Sequence, residues 1–206
     1  MFLKQRKRGS SQTDQATAVF KQGAALTRRG VSSCMLGASA GVLAGAVMPA
    51  QARTTITPPR ADDEKFMRIA LAEAARGDFP FGAVIEKDGA VLATGRNSGA
   101  KLNDPTAHGE MMAIRHFTAT RPARELTATT LYTSGEPCPM CMGAIIWCGF
   151  RRVVYAASIE QLSAKIGQIM LPSVEIARAA PFAQLEITGG VMATEALALF
   201  DRPQQR

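Results

Sequence analysis

Little in this chain of 206 residues favours a special architecture. Cysteine is scarce, at four residues, which argues against a disulfide scaffold. Charged residues make up 20% and hydrophobic ones 47%, an ordinary globular balance that fits neither disorder nor a collagenous repeat. There is no internal repeat and no low-complexity tract after residue 52. Acid is nearly absent from the first quarter: residues 1–52 hold seven of the 24 Lys and Arg but only Asp14 of the 17 acids. Residues 53–206 therefore balance 17 basic against 16 acidic side chains, and the formal charge of +7 belongs almost wholly to the leader. A nucleic-acid-binding domain needs a basic surface rather than a basic tail, so nucleic acid is not expected as a partner. The remaining stretch suits one domain with a real core.

Residues 1–52 read as an export signal. A basic, polar stretch ends at Thr27-Arg28-Arg29, which resembles a twin-arginine signal for the corresponding export machinery. An apolar run, Val31–Met48, follows, and Ala50-Gln51-Ala52 offers an A-x-A cleavage pattern. The run is long enough to span a bilayer, but Gly, Ala and Ser dominate it, so no stable membrane anchor is expected. The expectation is a cleaved leader and a protein that is periplasmic or otherwise exported. Residues 53–60 (RTTITPPR) read as a linker and residues 61–206 as the functional domain.

Asp62-Asp63-Glu64 opens a helix that runs to about Arg76, its acids where the dipole favours them. Residues 81–95 read as a hairpin turning at Asp88-Gly89. Residues 96–106 read as loop, 107–117 as helix, 129–133 as a buried strand, Cys138 to just before Gly149 as helix, and 151–157 as strand. Short helices are expected at 159–165 and 173–179, a strand at 184–188 and a final helix at 192–200. Strands mixed with helices imply a layered α/β domain.

The chemistry concentrates in two stretches. His108 and Glu110 form H-x-E, and thirty residues after His108 begins Cys138-Pro139-Met140-Cys141. A lone C-x-x-C is ambiguous between redox, metal-binding and incidental roles. Joined to His108, it offers imidazole and two thiolates, the donors zinc prefers. Pro139 suits the first turn of a helix, where its missing N–H costs nothing. Both cysteines then lie within one turn of a helix N-terminus, which favours thiolates. Neither His116 nor Cys148 closes the set, being about 12 Å and about 10 Å along their helices from His108 and Cys141. His116 reads as a helix-surface residue and Cys148 as a buried small apolar group. Three protein ligands with an open position are the catalytic form of a zinc site. Glu110 is not needed as a ligand; a carboxylate beside metal-activated water can accept its proton and pass it on.

H-x-E followed by P-C-x-x-C is the signature of zinc deaminases. The stretches FPFGAVIEKDG, NDPTAHGEMMAIR, LYTSGEPCPMCMGAIIW and RRVVYAA, within about 64–157, resemble the cytidine/deoxycytidylate deaminase superfamily. The nearest branch holds guanine deaminases, nucleoside deaminases and tRNA adenosine deaminases. The resemblance implies a three-layer α/β/α fold with a central mixed sheet, a homodimer, and hydrolytic release of ammonia from a nucleobase or nucleoside. It implies one Zn²⁺ per subunit on His108, Cys138 and Cys141, with Glu110 as proton shuttle. It further implies substrate contacts from Asn97, the Gly109 N–H, Phe81 and Trp147. Gly109 and Gly135 depart from the family, which often has Ala and Cys there. Guanine deaminases carry base-recognising acids after the last shared strand, where this chain has only Glu160 and Glu175 within 158–176. A guanine-like purine is the favoured substrate. The alternatives are a tRNA adenosine deaminase and a non-catalytic zinc-binding module; a C-x-x-C redox protein leaves His108 and Glu110 unexplained.

Overall fold

A computed structural model describes residues 54–201. The export signal expected at 1–52 lies outside the described residues. The chain forms strands β1 (Thr55–Ile56), β2 (Gly82–Lys87), β3 (Ala90–Arg96), β4 (Thr130–Gly135), β5 (Arg152–Ala157) and β6 (Glu186–Thr188). Its helices are α1 (Asp63–Ala74), α2 (Gly99–Leu102), α3 (Gly109–Thr118), α4 (Pro139–Cys148), α5 (Ile159–Ser163), α6 (Ser173–Arg178) and α7 (Ala193–Ala198).

The strands make one mixed sheet in the order β1-β6-β5-β4-β2-β3. β4, β5, β6 and β1 pair in parallel, while β2 runs antiparallel to both β4 and β3. Alternation explains why both faces are covered. Ile85, Leu131 and Val153 point into one core with Phe117, Met142 and Ile145. Their neighbours Val84, Tyr132 and Val154 point into the other with Phe66, Met67 and Leu162. Two apolar faces need two helical layers, which is the three-layer α/β/α architecture expected.

The hairpin turns where expected: Asp88 and Gly89 both have positive φ, 51° and 83°, as a two-residue type I′ turn requires. Two glycines let helices lie directly on the sheet. A Cβ at Gly82 would strike the α1 backbone at Ala70 and Ala74, and one at Gly95 would strike α3 at Gly109 and Ala113. α3, which carries Glu110, is thus seated against β3 at backbone contact.

Two segments differ from the sequence reading. The stretch expected as linker contributes β1, held by Thr55 N–H to Leu185 O (3.0 Å) and Thr57 N–H to Ile187 O (2.9 Å). Two residues are too few to show alternation, and the free edge of β6 is what orders them. The loop at 96–106 contains the single turn of α2, closed by Asn103 in the left-handed conformation (φ 50°). That turn comes from local backbone chemistry, not from hydrophobic periodicity.

At the amino end of β5, Arg152 makes a buried two-pronged bond with Asp63: Nη1 to Oδ1 at 2.6 Å and Nη2 to Oδ2 at 2.8 Å, with side chains 2% and 1% exposed. Tyr132 Oη–H donates to Asp63 at 3.1 Å and Arg60 N–H at 2.6 Å. Burial alone would raise the Asp63 carboxyl; Arg152 and the Arg60 N–H outweigh it and hold it below the usual carboxylate value.

Candidate active site

The site lies at the opposite end of the sheet. β3 runs parallel to β4 through its antiparallel partner β2, so the carboxyl ends of β3, β4 and β5 share one edge. Asn97 follows β3, Glu136 follows β4 and Ser158 follows β5. Crevices beyond strand carboxyl ends are the usual ligand sites of open α/β sheets.

His108 is the extended residue that begins α3 (φ −67°, ψ 161°). Cys138 plays the same part for α4 (φ −63°, ψ 166°), with Pro139 at the first helical position and Cys141 in the first turn. Both helices therefore aim their N-terminal ends at one point. Both cysteine Sγ atoms lie 3.6 Å from His108 Nδ1. Tetrahedral zinc, with bonds of about 2.3 Å to sulfur and about 2.05 Å to nitrogen, separates those atoms by about 3.6 Å. The triangle fits the metal without rearrangement, and these three ligand atoms all lie within 4.8 Å of one another.

The electrostatics match. A hydrogen bond from the Cys141 thiol is the main influence lowering Cys138, to about 4, against burial and with help from His108. The bond to Cys138 and burial push the Cys141 thiol up. The hydrogen bond with Cys138 raises His108, burial opposing it. Zinc held by both sulfurs would take the place of the Cys141 proton. Glu110, 4% exposed, stands beside them with Oε2 3.5 Å from Cys141 Sγ. Burial is the first cause that raises its carboxyl above the usual range. A raised carboxyl beside a metal site suits a group that must both accept and return a proton.

His108, Glu110 and Cys138 open into a cavity of about 430 Å³, walled by Phe79, Phe81, Pro105, Met140, Ile166 and Ile169, with Asn97, Glu136, Gly167 and Gln168 among its polar lining. The Asn97 Oδ1 accepts the Gly99 N–H at 3.2 Å, which leaves its NH₂ group to face a ligand. Gly109 lies buried at the first helical position of α3, where the N–H has no intrahelical acceptor.

Residues 60–157 match the model for the cytidine and deoxycytidylate deaminase zinc-binding region. Guanine deaminase of Bacillus subtilis is 48% identical over 99 residues, which are 46% of this chain and 64% of that enzyme. A tRNA-specific adenosine deaminase of Buchnera aphidicola is 38% identical over 104 residues, covering 48% of this chain and 69% of that one. The chain belongs to the cytidine and deoxycytidylate deaminase family. Among solved structures, the guanine deaminase of Nitrosomonas europaea matches with a TM-score of 0.59 and 26% identity, over 72% of this chain and 85% of that one. The chain spans less than two thirds of the length of the B. subtilis enzyme, and the match at residues 60–157 holds His108, Cys138 and Cys141.

Within this deaminase fold, most expected site residues come together: His108, Cys138, Glu110, Asn97 and Phe81 line one cavity, Cys141 completes the triangle with His108 and Cys138, and Gly109 follows His108 in the chain. Trp147 does not line it. Trp147 is 80% exposed and stacks on Phe182 at 5.3 Å, over a separate groove with Arg151 and Gln184. It stands six residues past Cys141 on α4, about 120° from it around the helix, and so looks away from the metal ligands. His116 lies in the last turn of α3, with Nδ1 2.7 Å from the Thr94 carbonyl, and half-buried Cys148 packs against the core. The departure at Gly135 has a use: a Cβ there would come within 2.8 Å of the Phe81 ring, which fills that space.

Sequence reasoning missed Phe79, Met140, Glu136 and the Ile166–Ile169 stretch. An acid directly before P-C-x-x-C and an apolar segment, Ile166–Leu171, without helical or strand period were the available signals.

Proposed function

We propose that this protein is a zinc-dependent hydrolytic deaminase of a nucleobase or nucleoside, a guanine-like purine favoured, that releases ammonia. The observation that carries the reading is the His108, Cys138 and Cys141 triangle with buried Glu110 at its side, opening into a cavity sized for a flat heterocycle. Zinc on those side chains would supply a Lewis acid that lets water act as a nucleophile near neutral pH.

The chain's own groups do the rest. Glu110 takes the proton of the water, gives it to a ring nitrogen, and then carries a proton to the departing amine. Its burial keeps the carboxyl basic enough for this duty. The Asn97 NH₂ donates to an acceptor on the ring, and the Gly109 N–H stands at the edge of the base. Phe79, Phe81, Met140 and Ile166 cover the ring faces and exclude bulk water. The similarity to two guanine deaminases supports a purine. The tRNA-specific relatives favour a second reading, adenosine in RNA. The balance of 17 basic and 16 acidic groups in residues 53–206 weighs against it.

The leader's composition supports export and a periplasmic site of action, and the family resemblance supports a homodimer. The deciding experiment is ammonia release from guanine, adenine, cytosine, their nucleosides and tRNA, with Glu110→Ala as control. Release from guanine that the substitution abolishes carries the proposal. Release from tRNA alone overturns it.

A further inference from the structure

Glu136 is a buried carboxylate, 7% exposed, two residues before the first cysteine ligand. Its oxygens are committed elsewhere. Oε2 accepts the Ile159 N–H at 2.9 Å. Oε1 accepts both the Ser173 N–H at 2.8 Å and the Ser173 hydroxyl at 2.7 Å. Ile159 is the first residue of α5 and Ser173 the first of α6. Between those helices, residues 164–172 form an irregular strap, and its Ile166, Gly167, Gln168 and Ile169 make one wall of the cavity. The backbone bonds around the strap are short-range: Lys165 and Ile166 to Leu162, and Leu171 to Ile169. The strap is open to solvent, Ile169 being 64% and Met170 59% exposed.

We infer that Glu136 is a positioning residue that fixes the 164–172 strap over the cavity and thereby sets how tightly the site holds its base. One side chain, rooted in the strand-to-helix turn that carries Cys138, bonds the first residues of α5 and α6, the two helices that flank the strap. The neutral amide of Glu136→Gln offers a single acceptor oxygen, so it can serve Ile159 or Ser173 but not both. A role limited to capping the two short helices would leave substrate affinity alone. A strap that rides on Glu136 would not.

The substrate readout rests on the deaminase reading, whereas the strap readout does not. Glu136→Gln and Ser173→Ala are made in the full chain, loaded with zinc, and compared for zinc content, guanine kinetics and tryptic cleavage after the exposed Lys165. For Glu136→Gln the expected result is one zinc per chain, KM for guanine raised about tenfold with kcat within threefold, and cleavage at Lys165 at least tenfold faster. Ser173→Ala, which removes one hydrogen bond of the three, shifts KM and cleavage the same way by a smaller factor and serves if Glu136→Gln does not fold. Unchanged cleavage at Lys165 in zinc-loaded Glu136→Gln overturns the inference. So does loss of kcat at constant KM, or loss of zinc with the strap still protected. If the unaltered protein does not deaminate guanine, the substrate proposal fails, and cleavage at Lys165 alone decides the role of Glu136.

Discussion

Replacing Asp63 by Asn tests whether stability and activity reside at opposite ends of the sheet. Asp63 and Arg152 are 1% and 2% exposed and joined by two short hydrogen bonds, so removing the negative charge leaves a buried guanidinium uncompensated. Breaking such a pair costs roughly 3–5 kcal/mol. Asn keeps an oxygen for Tyr132 or the Arg60 N–H, which puts the expected loss near the lower end, about 3 kcal/mol. At roughly 2–4 °C per kcal/mol for a domain of this size, Tm falls by roughly 6–12 °C. The sign of the pH dependence follows from the lowered folded value of Asp63. Its contribution is complete above the unfolded carboxyl value of about 3.9 and is lost as pH falls through the lower folded value. The gap between parent and Asp63→Asn therefore holds steady from pH 7 down to about 5 and narrows below about 4. The assay is urea unfolding of the full chain by circular dichroism at constant zinc, across that range, with kcat measured alongside. Asp63→Leu with Arg152→Met together are expected to lie closer to the parent than Asp63→Asn alone, because the pair's attraction largely offsets its desolvation. A loss under about 1 kcal/mol at pH 7 would refute the reasoning, as would a gap that persists unchanged in acid or a fall in kcat at a temperature where the variant is folded.

Three further outcomes are expected. Glu110→Gln keeps zinc and fold but lowers kcat by about 10²–10⁴, measured by ammonia release; residual activity within tenfold of the parent would remove Glu110 from the proton pathway. His108→Ala removes one of three ligands and brings zinc below one per chain by elemental analysis, and a strong chelator lowers the parent's Tm but not this variant's. Gly95→Ala drives a methyl group into the α3 backbone at Gly109 and Ala113, which cannot yield as a side chain would. It is expected to lower both thermal stability and zinc affinity, and a variant unchanged in both would show that α3 shifts freely.

The sequence made legible what rests on fixed local spacing. H-x-E and C-x-x-C each open a helix, so the residue types and their offsets nearly determine which atoms meet. The Asp88-Gly89 turn and the short apolar runs within 81–95, 129–133 and 151–157 made the sheet readable for the same reason. What escaped depends on distant partners. Glu136 looks like a solvated loop acid beside Pro137, since its three donors come from residues 23 and 37 positions away. The strap has no periodicity because irregular backbone, not an amphipathic face, forms that wall. Trp147 misled because an indole in an active-site helix invites a stacking role, whereas its angle around α4 turns it outward.

That outward tryptophan has a spectroscopic consequence. Trp147 is the single tryptophan of the chain and is already 80% in water. Its emission is then close to that of a fully hydrated indole in the native state, and unfolding has little further red shift to give. Fluorescence that is nearly blind to unfolding becomes sensitive to anything that covers the Trp147 and Phe182 pair. A concentration-dependent blue shift would register one molecule settling on that surface while the fold itself stays intact.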